Sequence, residues 1–135
     1  GVEIVELNPA AIERGRSDGV PIHIGDATST EVLAHAGVGQ AKAVVVTVPD
    51  PKTARDITAA VRSLAPRVRL LVRSRFQRGC PEITTAGATK VVDEETTVGR
   101  LLAHETLSSL ELGPEAGLAC ALAGKTPAVS AAAGG

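Results

Sequence analysis

Short aliphatic segments alternate with helix start signals along most of this chain of 135 residues. The strongest segment, residues 43–48 (AVVVTV), is almost wholly apolar and β-branched, which predicts a central strand buried on both faces. Asn8-Pro9 and Asp50-Pro51 each place an N-cap residue before a first-turn proline, so a helix is expected after each. The alternation predicts an α/β fold of the Rossmann-like, doubly wound kind, with a parallel sheet between helices.

The remaining elements follow from the same signals. A glycine stop at Gly19 ends the first helix, and a capping box from Thr28 to Glu31 opens the second, which runs to about Gly37. From Gly113 onward small residues dominate, so residues 1–112 are predicted to form the domain and residues 113–135 a flexible tail. The other predicted strands are residues 2–7, 20–27, 68–74 and 90–92. Three more helices are predicted: one from residue 51 to Pro66, a weaker one that ends at about Ala86, and a last one that contains Val98 and Leu107.

Composition narrows the class of protein. The chain is 44% hydrophobic and 21% charged, as soluble globular domains are, but only 1% aromatic, which disfavours sandwiches and RNA binders that stack bases on rings. A net charge of -1 gives no general attraction to polyanions, so no nucleic-acid partner is expected. Cys80 and Cys120 match no zinc or redox spacing, and the histidines have no metal-ligand spacing, so we expect no metal and a reducing, cytoplasmic setting. No apolar run approaches the ~18 residues of a membrane helix, and no export leader is expected.

Two carboxylates follow predicted strands at the edge where open α/β sheets bind ligands. Glu6 ends the first strand and is placed to accept the two hydroxyls of a ribose. Asp26 follows Gly25 at the end of the second strand and is placed to accept an adenine amino group. An acidic residue just before a helix is also favoured by the helix dipole, so at each position capping and ligand binding remain alternative interpretations.

The same edge carries polar groups after the third and fourth strands. The segment TVPDP, residues 47–51, contains Thr47, Val48 and Pro49 and places a hydroxyl and free backbone donors directly before a helix N-terminus, which favours anions. Arg73 and Arg75 lie at the carboxyl end of the fourth strand, within reach of phosphate oxygens. The alternative for these arginines is a solvated flank that protects a sheet edge.

Together the segments VEIVELNP, IHIGDATSTEVLAHAGV, AKAVVVTVPDP and LLVRSR to GATKVVDEE resemble the nucleotide-binding domain family called RCK, KTN or TrkA-N, over residues 2 to about 110. The resemblance implies a cytosolic regulatory domain of potassium channels and of Trk- and Kef-type transporters. Such a domain is not an enzyme: it binds NAD(H) or an adenine nucleotide such as ADP or ATP, and its occupancy controls potassium transport. The resemblance also implies a homodimer or larger ring, associated with a membrane-embedded potassium channel or transporter.

The resemblance assigns roles by position. Glu6 would bind the ribose, Asp26 with Ala27 the adenine, residues Thr47 to Pro49 would line the pocket, and Arg73 would approach the phosphates. Members of the family begin with a strand and a GxGxxG turn, whereas this chain starts at the second strand, so we expect an N-terminally truncated domain. The strand order 3-2-1-4-5-6 then leaves a gap between the second and fourth strands. Two alternatives stay open: a fragment of an NAD-dependent oxidoreductase, and an assembly module without a ligand.

Overall fold

The computed structural model describes residues 1–110, so the predicted tail over residues 113–135, the 112/113 boundary and Cys120 lie outside the described residues. The chain divides into two compact units, residues 1–94 and residues 95 onward. The strands are β1 Ile4–Glu6, β2 Ile22–Ile24, β3 Ala43–Val46, β4 Arg69–Ser74 and β5 Lys90–Asp93, and the helices are α1 Pro9–Ser17, α2 Thr30–His35, α3 Pro51–Leu64, α4 Cys80–Thr85 and α5 Glu94–Ser109.

All strand pairs in the described residues are parallel, and they form two sheets. β1 pairs with β2, and β3, β4 and β5 form a second sheet with β4 in the middle. The predicted α/β class with parallel strands is confirmed. The predicted gap is confirmed as well, because β1 and β3, which correspond to the second and fourth strands of the Rossmann order, belong to different sheets.

The prediction that residues 43–48 form a central strand buried on both faces is wrong. β3 is an edge strand of its sheet, and Val45 is 63% exposed. The central strand is β4, where Leu70 is fully buried and Val72 is 1% exposed. The physical reason is pairing: within residues 1–110 β3 has one hydrogen-bonded neighbour, so one edge and part of one face receive no cover.

One aliphatic core joins α3 to the three-stranded sheet. Apolar residues of α3 recur at helical spacing, and Ala54, Ile57 and Val61 are buried against β4 and α4. Thr58 is the polar member of this face, and its buried hydroxyl donates to the carbonyl of Ala54 at 2.7 Å, so the helix itself satisfies it. Side chains from α2 and from the 3-10 turn that follows it complete the cluster, notably Leu33 and Val38.

Helix capping agrees with the sequence in α1 and α3 and differs in α2. Asn8 Oδ1 accepts a hydrogen bond from the amide of Ala10 at 3.0 Å, and α1 ends just before Gly19, whose φ is +70°. The predicted cap at Thr28 is wrong, because the N-cap of α2 is Ser29, whose Oγ accepts from the amide of Val32 at 3.4 Å. Thr28 instead donates its hydroxyl to Asp26 Oδ1 at 2.8 Å.

Arg62 connects the end of α3 to the turn between α4 and β5. Its guanidinium donates to the carbonyls of Pro66 at 2.8 Å, of Val68 at 3.0 Å and of Gly87 at 2.6 and 3.0 Å. Gly87 has a φ of +112°, and a Cβ there would lie 3.0 Å from Arg62 Cγ. The backbone conformation therefore favours glycine at position 87, and a side chain there would also press on the stem of Arg62.

Replacing Arg62 should destabilise the domain. In Arg62→Ala several half-buried carbonyls lose their donor, so we expect the free energy of unfolding to fall by about 2–4 kcal/mol. Arg62→Lys should recover little of this, because a single ammonium cannot replace the guanidinium fork. Arg55→Ala in the same helix removes a half-exposed ion pair with Asp56, which the solvent screens, and should cost clearly less than Arg62→Ala. Urea unfolding would contradict this assignment if both alanine variants lost the same stability.

The cap of α3 predicts a pH dependence. Asp50 Oδ2 accepts from the hydroxyl of Thr53 at 2.6 Å and from its amide at 2.8 Å, and these bonds lower the pKa of Asp50 below its ordinary value of 3.8. A carboxylate with a depressed pKa stabilises the fold above its unfolded pKa and stops doing so as the pH falls through its folded pKa. The stability difference between wild type and Asp50→Asn should therefore be constant from neutral pH down to about pH 4 and shrink below it.

Urea titrations between pH 7 and pH 2 test this, with Ser29→Ala as the control. Ser29 caps α2 through a neutral hydroxyl, so its loss should cost the same at every pH. A difference for Asp50→Asn that is equally large at both ends of the range would contradict the assigned role of the charge.

Candidate functional site

The structure brings Glu6 and Asp26 to neighbouring strand ends. Glu6 lies opposite Ile24 in the parallel register, and the amide of Gly25 donates to the carbonyl of Glu6 at 3.2 Å. A Cβ on Gly25 would lie 2.8 Å from Val32 Cγ1, so the turn into α2 can pass this close only as glycine. The two carboxylates therefore share the carboxyl edge of the β1–β2 sheet, as the sequence predicts.

Each carboxylate fixes its own loop through one oxygen. Glu6 Oε1 accepts from the amides of Leu7 and Asn8, both at 2.8 Å. Asp26 Oδ1 accepts hydrogen bonds from the amide and the hydroxyl of Thr28, both at 2.8 Å. Both bonds lower the pKa of Asp26, and the bond from the amide has the larger effect. The hydrogen bonds found in residues 1–110 use one oxygen of each group, so the second oxygen is available to a ligand hydroxyl or amino group.

The second group of predicted residues lies at the carboxyl end of the other sheet. Thr47 and Pro49 are exposed and Val48 is half-buried. Arg73 NH1 donates to the carbonyl of Thr47 at 3.0 Å, and Arg73 Nε donates to Glu94 Oε1. Arg73 is thus hydrogen-bonded to the segment predicted to line the pocket. The bonds to Thr47 and Glu94 occupy part of its guanidinium.

Arg75, Phe76 and Arg78, which follow β4, form a cluster of which the sequence analysis had named only Arg75 as a candidate phosphate contact. The guanidinium carbons of Arg75 and Arg78 lie 5.3 Å and 4.9 Å from the ring centroid of Phe76. Both arginines are exposed, whereas Phe76 is half-buried. A single phenylalanine among arginines, in a chain with no other Phe, Tyr or Trp, is the signal that could have pointed to this cluster.

Two cavities lie away from the predicted residues. One of about 400 Å³ lies at the amino ends of β3 and β4, with Lys42 and Arg67 in its wall. Another of about 530 Å³ lies between β2 and α2; there His23 Nε2 is 2.7 Å from Glu3 Oε2, and the His35 ring meets the His23 ring edge-on at 5.6 Å. Neither of these two cavities is lined by a predicted site residue.

Ala27, next to Asp26 in the chain, is half-buried and packs against the main core. Within residues 1–110 no group of three or more His, Cys, Asp and Glu side chains is arranged to hold a metal ion. None of the helices in that part of the chain is both long enough and apolar enough to cross a membrane.

Comparison with known proteins finds relatives with a similar fold. A solved TrkA-N domain of the inner membrane protein ybaL from Escherichia coli is 26% identical, with 74% of each chain covered and a TM-score of 0.70. A GsuK channel bound to NAD is 25% identical over 80% of this chain and 24% of the channel, with a TM-score of 0.57. A putative K⁺ efflux antiporter KefB from Alkalimonas amylolytica is 28% identical over 108 residues, which are 80% of this chain and 16% of the antiporter.

The chain therefore spans about a sixth of the length of that antiporter. The model of the TrkA-N domain matches residues 1–94, the same range as the first compact unit. Because this match covers more than half of the sequence, the chain belongs to the TrkA-N domain family.

Proposed function

We propose that this chain binds NAD(H) or an adenine nucleotide such as ADP or ATP at the carboxyl edge of its strands, and that occupancy regulates potassium transport. The observation that carries the proposal is the pair formed by Glu6 and Asp26, each with one oxygen fixed by its own loop and one available. Relatives support it, because a GsuK channel is solved with NAD and GsuK is also solved with ADP at 25% identity.

The proposed roles follow the placement of the residues. Glu6 accepts the ribose hydroxyls, and Asp26 with the backbone of Ala27 binds the adenine. The segment from Thr47 to Pro49 lines the pocket, and Arg73 lies at the end that receives the phosphates. A bound nucleotide would present three kinds of group. Carboxylates accept hydrogen bonds from the ribose hydroxyls, carboxylates and backbone groups pair with the adenine edge, and guanidinium groups donate to the phosphoryl oxygens.

The regulatory part of the proposal needs two conformations. A ligand shifts a conformational equilibrium only by binding one state better than the other. We propose that the domain acts in the cytoplasm, performs no catalysis and transmits ligand occupancy to a membrane-embedded potassium channel or transporter. The assignment of the domain to residues 1–112 and of a tail to 113–135 stays a prediction.

We further propose that the domain assembles as a homodimer or larger ring through α5. Large apolar side chains of this helix are exposed: Val98 is 50% exposed, Leu101 57% and Leu102 62%. These residues repeat at a helical spacing and present an apolar stripe of the kind that helices bury against each other.

Nucleotide binding should depend on Asp26. We expect NADH, ADP or ATP to bind wild type in isothermal titration calorimetry, and Asp26→Asn to bind about tenfold to a hundredfold more weakly because a charged acceptor becomes neutral. Asp18→Asn removes the same charge just after α1, at the opposite edge, and should bind like wild type. An absence of both heat and thermal shift with every nucleotide would refute the proposal and favour a pure assembly module.

Assembly should depend on the α5 stripe. We expect sedimentation velocity to show a dimer or larger species for wild type and a monomer for Leu102→Glu, because a buried unpaired carboxylate opposes association. Leu7→Glu introduces the same charge at another exposed leucine, 60% exposed, and should assemble normally. A monomeric wild type, or identical sedimentation of the two variants, would rule out this interface.

A further inference from the structure

We propose that Arg75 and Arg78, stacked on Phe76, form a clamp for the phosphoryl groups of the ligand, and that Arg73 is a positioning residue rather than the main phosphate contact. The three clamp residues follow β4 directly, on the carboxyl edge that also carries Thr47. This inference rests on the proposed function for the identity of the ligand, and the experiment below separates the two.

The hydrogen bonds distinguish Arg73 from its neighbours. Arg73 already donates through NH1 to the carbonyl of Thr47 and through Nε to Glu94. Arg75 and Arg78 are exposed, and no hydrogen bond or ion pair of the described residues involves either guanidinium. Arg75 and Arg78 are thus the cations at this end of β4 whose donors are all available to an anion.

Stacking on one ring prepares both guanidinium groups for binding. A free arginine loses much rotamer freedom when it closes on a ligand, whereas contact with an aromatic face already restricts the side chain. The two guanidinium carbons lie 5.3 Å and 4.9 Å from the Phe76 centroid, inside the range of a cation-π contact. A planar guanidinium with its fork exposed matches two oxygens of a phosphoryl group at once.

The turn that carries the clamp is fixed by a buried hydroxyl. Ser74, 2% exposed, donates its Oγ to the carbonyl of Phe76 at 2.7 Å, and the amide of Gly79 donates to the same carbonyl at 3.1 Å. A Cβ on Gly79 would lie 3.1 Å from Ser74 Oγ, so a larger residue there would press on the Ser74 hydroxyl. The ring therefore has a defined place relative to the end of β4.

Exposed arginines can also serve only to keep the end of a strand solvated. The chain allows a direct comparison, because a second pair of exposed arginines lies at the other end of β4. Arg67 and Arg69 are also exposed, but they lie at the amino end of β4 and have no aromatic partner among the described residues. They carry the same charge at the opposite edge of the sheet. A role in solubility or edge protection predicts equal behaviour of the two pairs, whereas a clamp predicts that only one pair senses phosphate.

The experiment measures the affinity of the protein for adenosine, AMP, ADP, ATP and inorganic tripolyphosphate by calorimetry. We expect Arg75→Gln/Arg78→Gln to weaken ATP binding at least about tenfold, the loss to decrease with each phosphoryl group removed, and adenosine binding to change little. Arg67→Gln/Arg69→Gln should leave the ATP affinity within about twofold of wild type. Phe76→Leu keeps both charges and should still weaken ATP and tripolyphosphate binding, because it removes only the stacking.

The outcomes separate the clamp from the proposed function. If nucleotides bind wild type but the Arg75/Arg78 variant loses no more ATP affinity than the Arg67/Arg69 variant, the clamp is refuted and nucleotide binding stands. If no nucleotide binds wild type, the proposed function fails and tripolyphosphate decides the clamp. Tripolyphosphate binding that requires Arg75, Arg78 and Phe76 then supports it, and the absence of such binding refutes it.

Discussion

The guanidinium of Arg62 fixes the position of β4 within the larger sheet. It donates to the carbonyls of Pro66 and Val68 in the connection from α3 to β4 and to the carbonyl of Gly87, so one side chain joins this connection to a turn 25 residues from Arg62. With these segments joined, β4 can pair with β3 on one side and β5 on the other while α3 covers it. Within this frame Leu70 and Val72 are buried, and the parallel pairing brings the carboxyl ends of β3, β4 and β5 to one edge.

The carboxyl ends of the strands carry chemically different groups in the two sheets. At β1 and β2 the edge carries carboxylates, which accept hydrogen bonds from hydroxyl and amino groups. At β4 it carries arginines, which donate to phosphoryl oxygens. A nucleotide has the same polarity along its length, with base and ribose at one end and phosphates at the other. The distribution of charge along the edge, rather than an enclosed cavity, therefore supports nucleotide binding.

Local signals predicted what depends on local structure. The caps at Asn8 and Asp50, the stop at Gly19 and the position of each strand follow from neighbouring residues, and the family strand order predicted the gap. Strand pairing is not local. The β-branched sequence of β3 is typical of a central strand, but its exposure depends on how many strands pair with it. Arg62 is missed for the same reason, because its acceptor Gly87 lies 25 residues away. The candidate site residues are a prediction from their positions at strand ends, whereas the hydrogen bond from Arg73 to Glu94 could be seen only in the fold.

Arg73 links the proposed ligand edge to the residue at which α5 begins. Its guanidinium binds the carbonyl of Thr47, in the segment proposed to line the pocket, and also Glu94, the last residue of the first compact unit and the first of α5. A ligand that moved Thr47 or competed for the guanidinium would therefore change the contact with Glu94. Regulation requires that the ligand discriminate between two arrangements of such a contact. If a bound nucleotide altered the contact between Arg73 and Glu94, this ion pair would be such an element, and sequence spacing alone gives no sign of it.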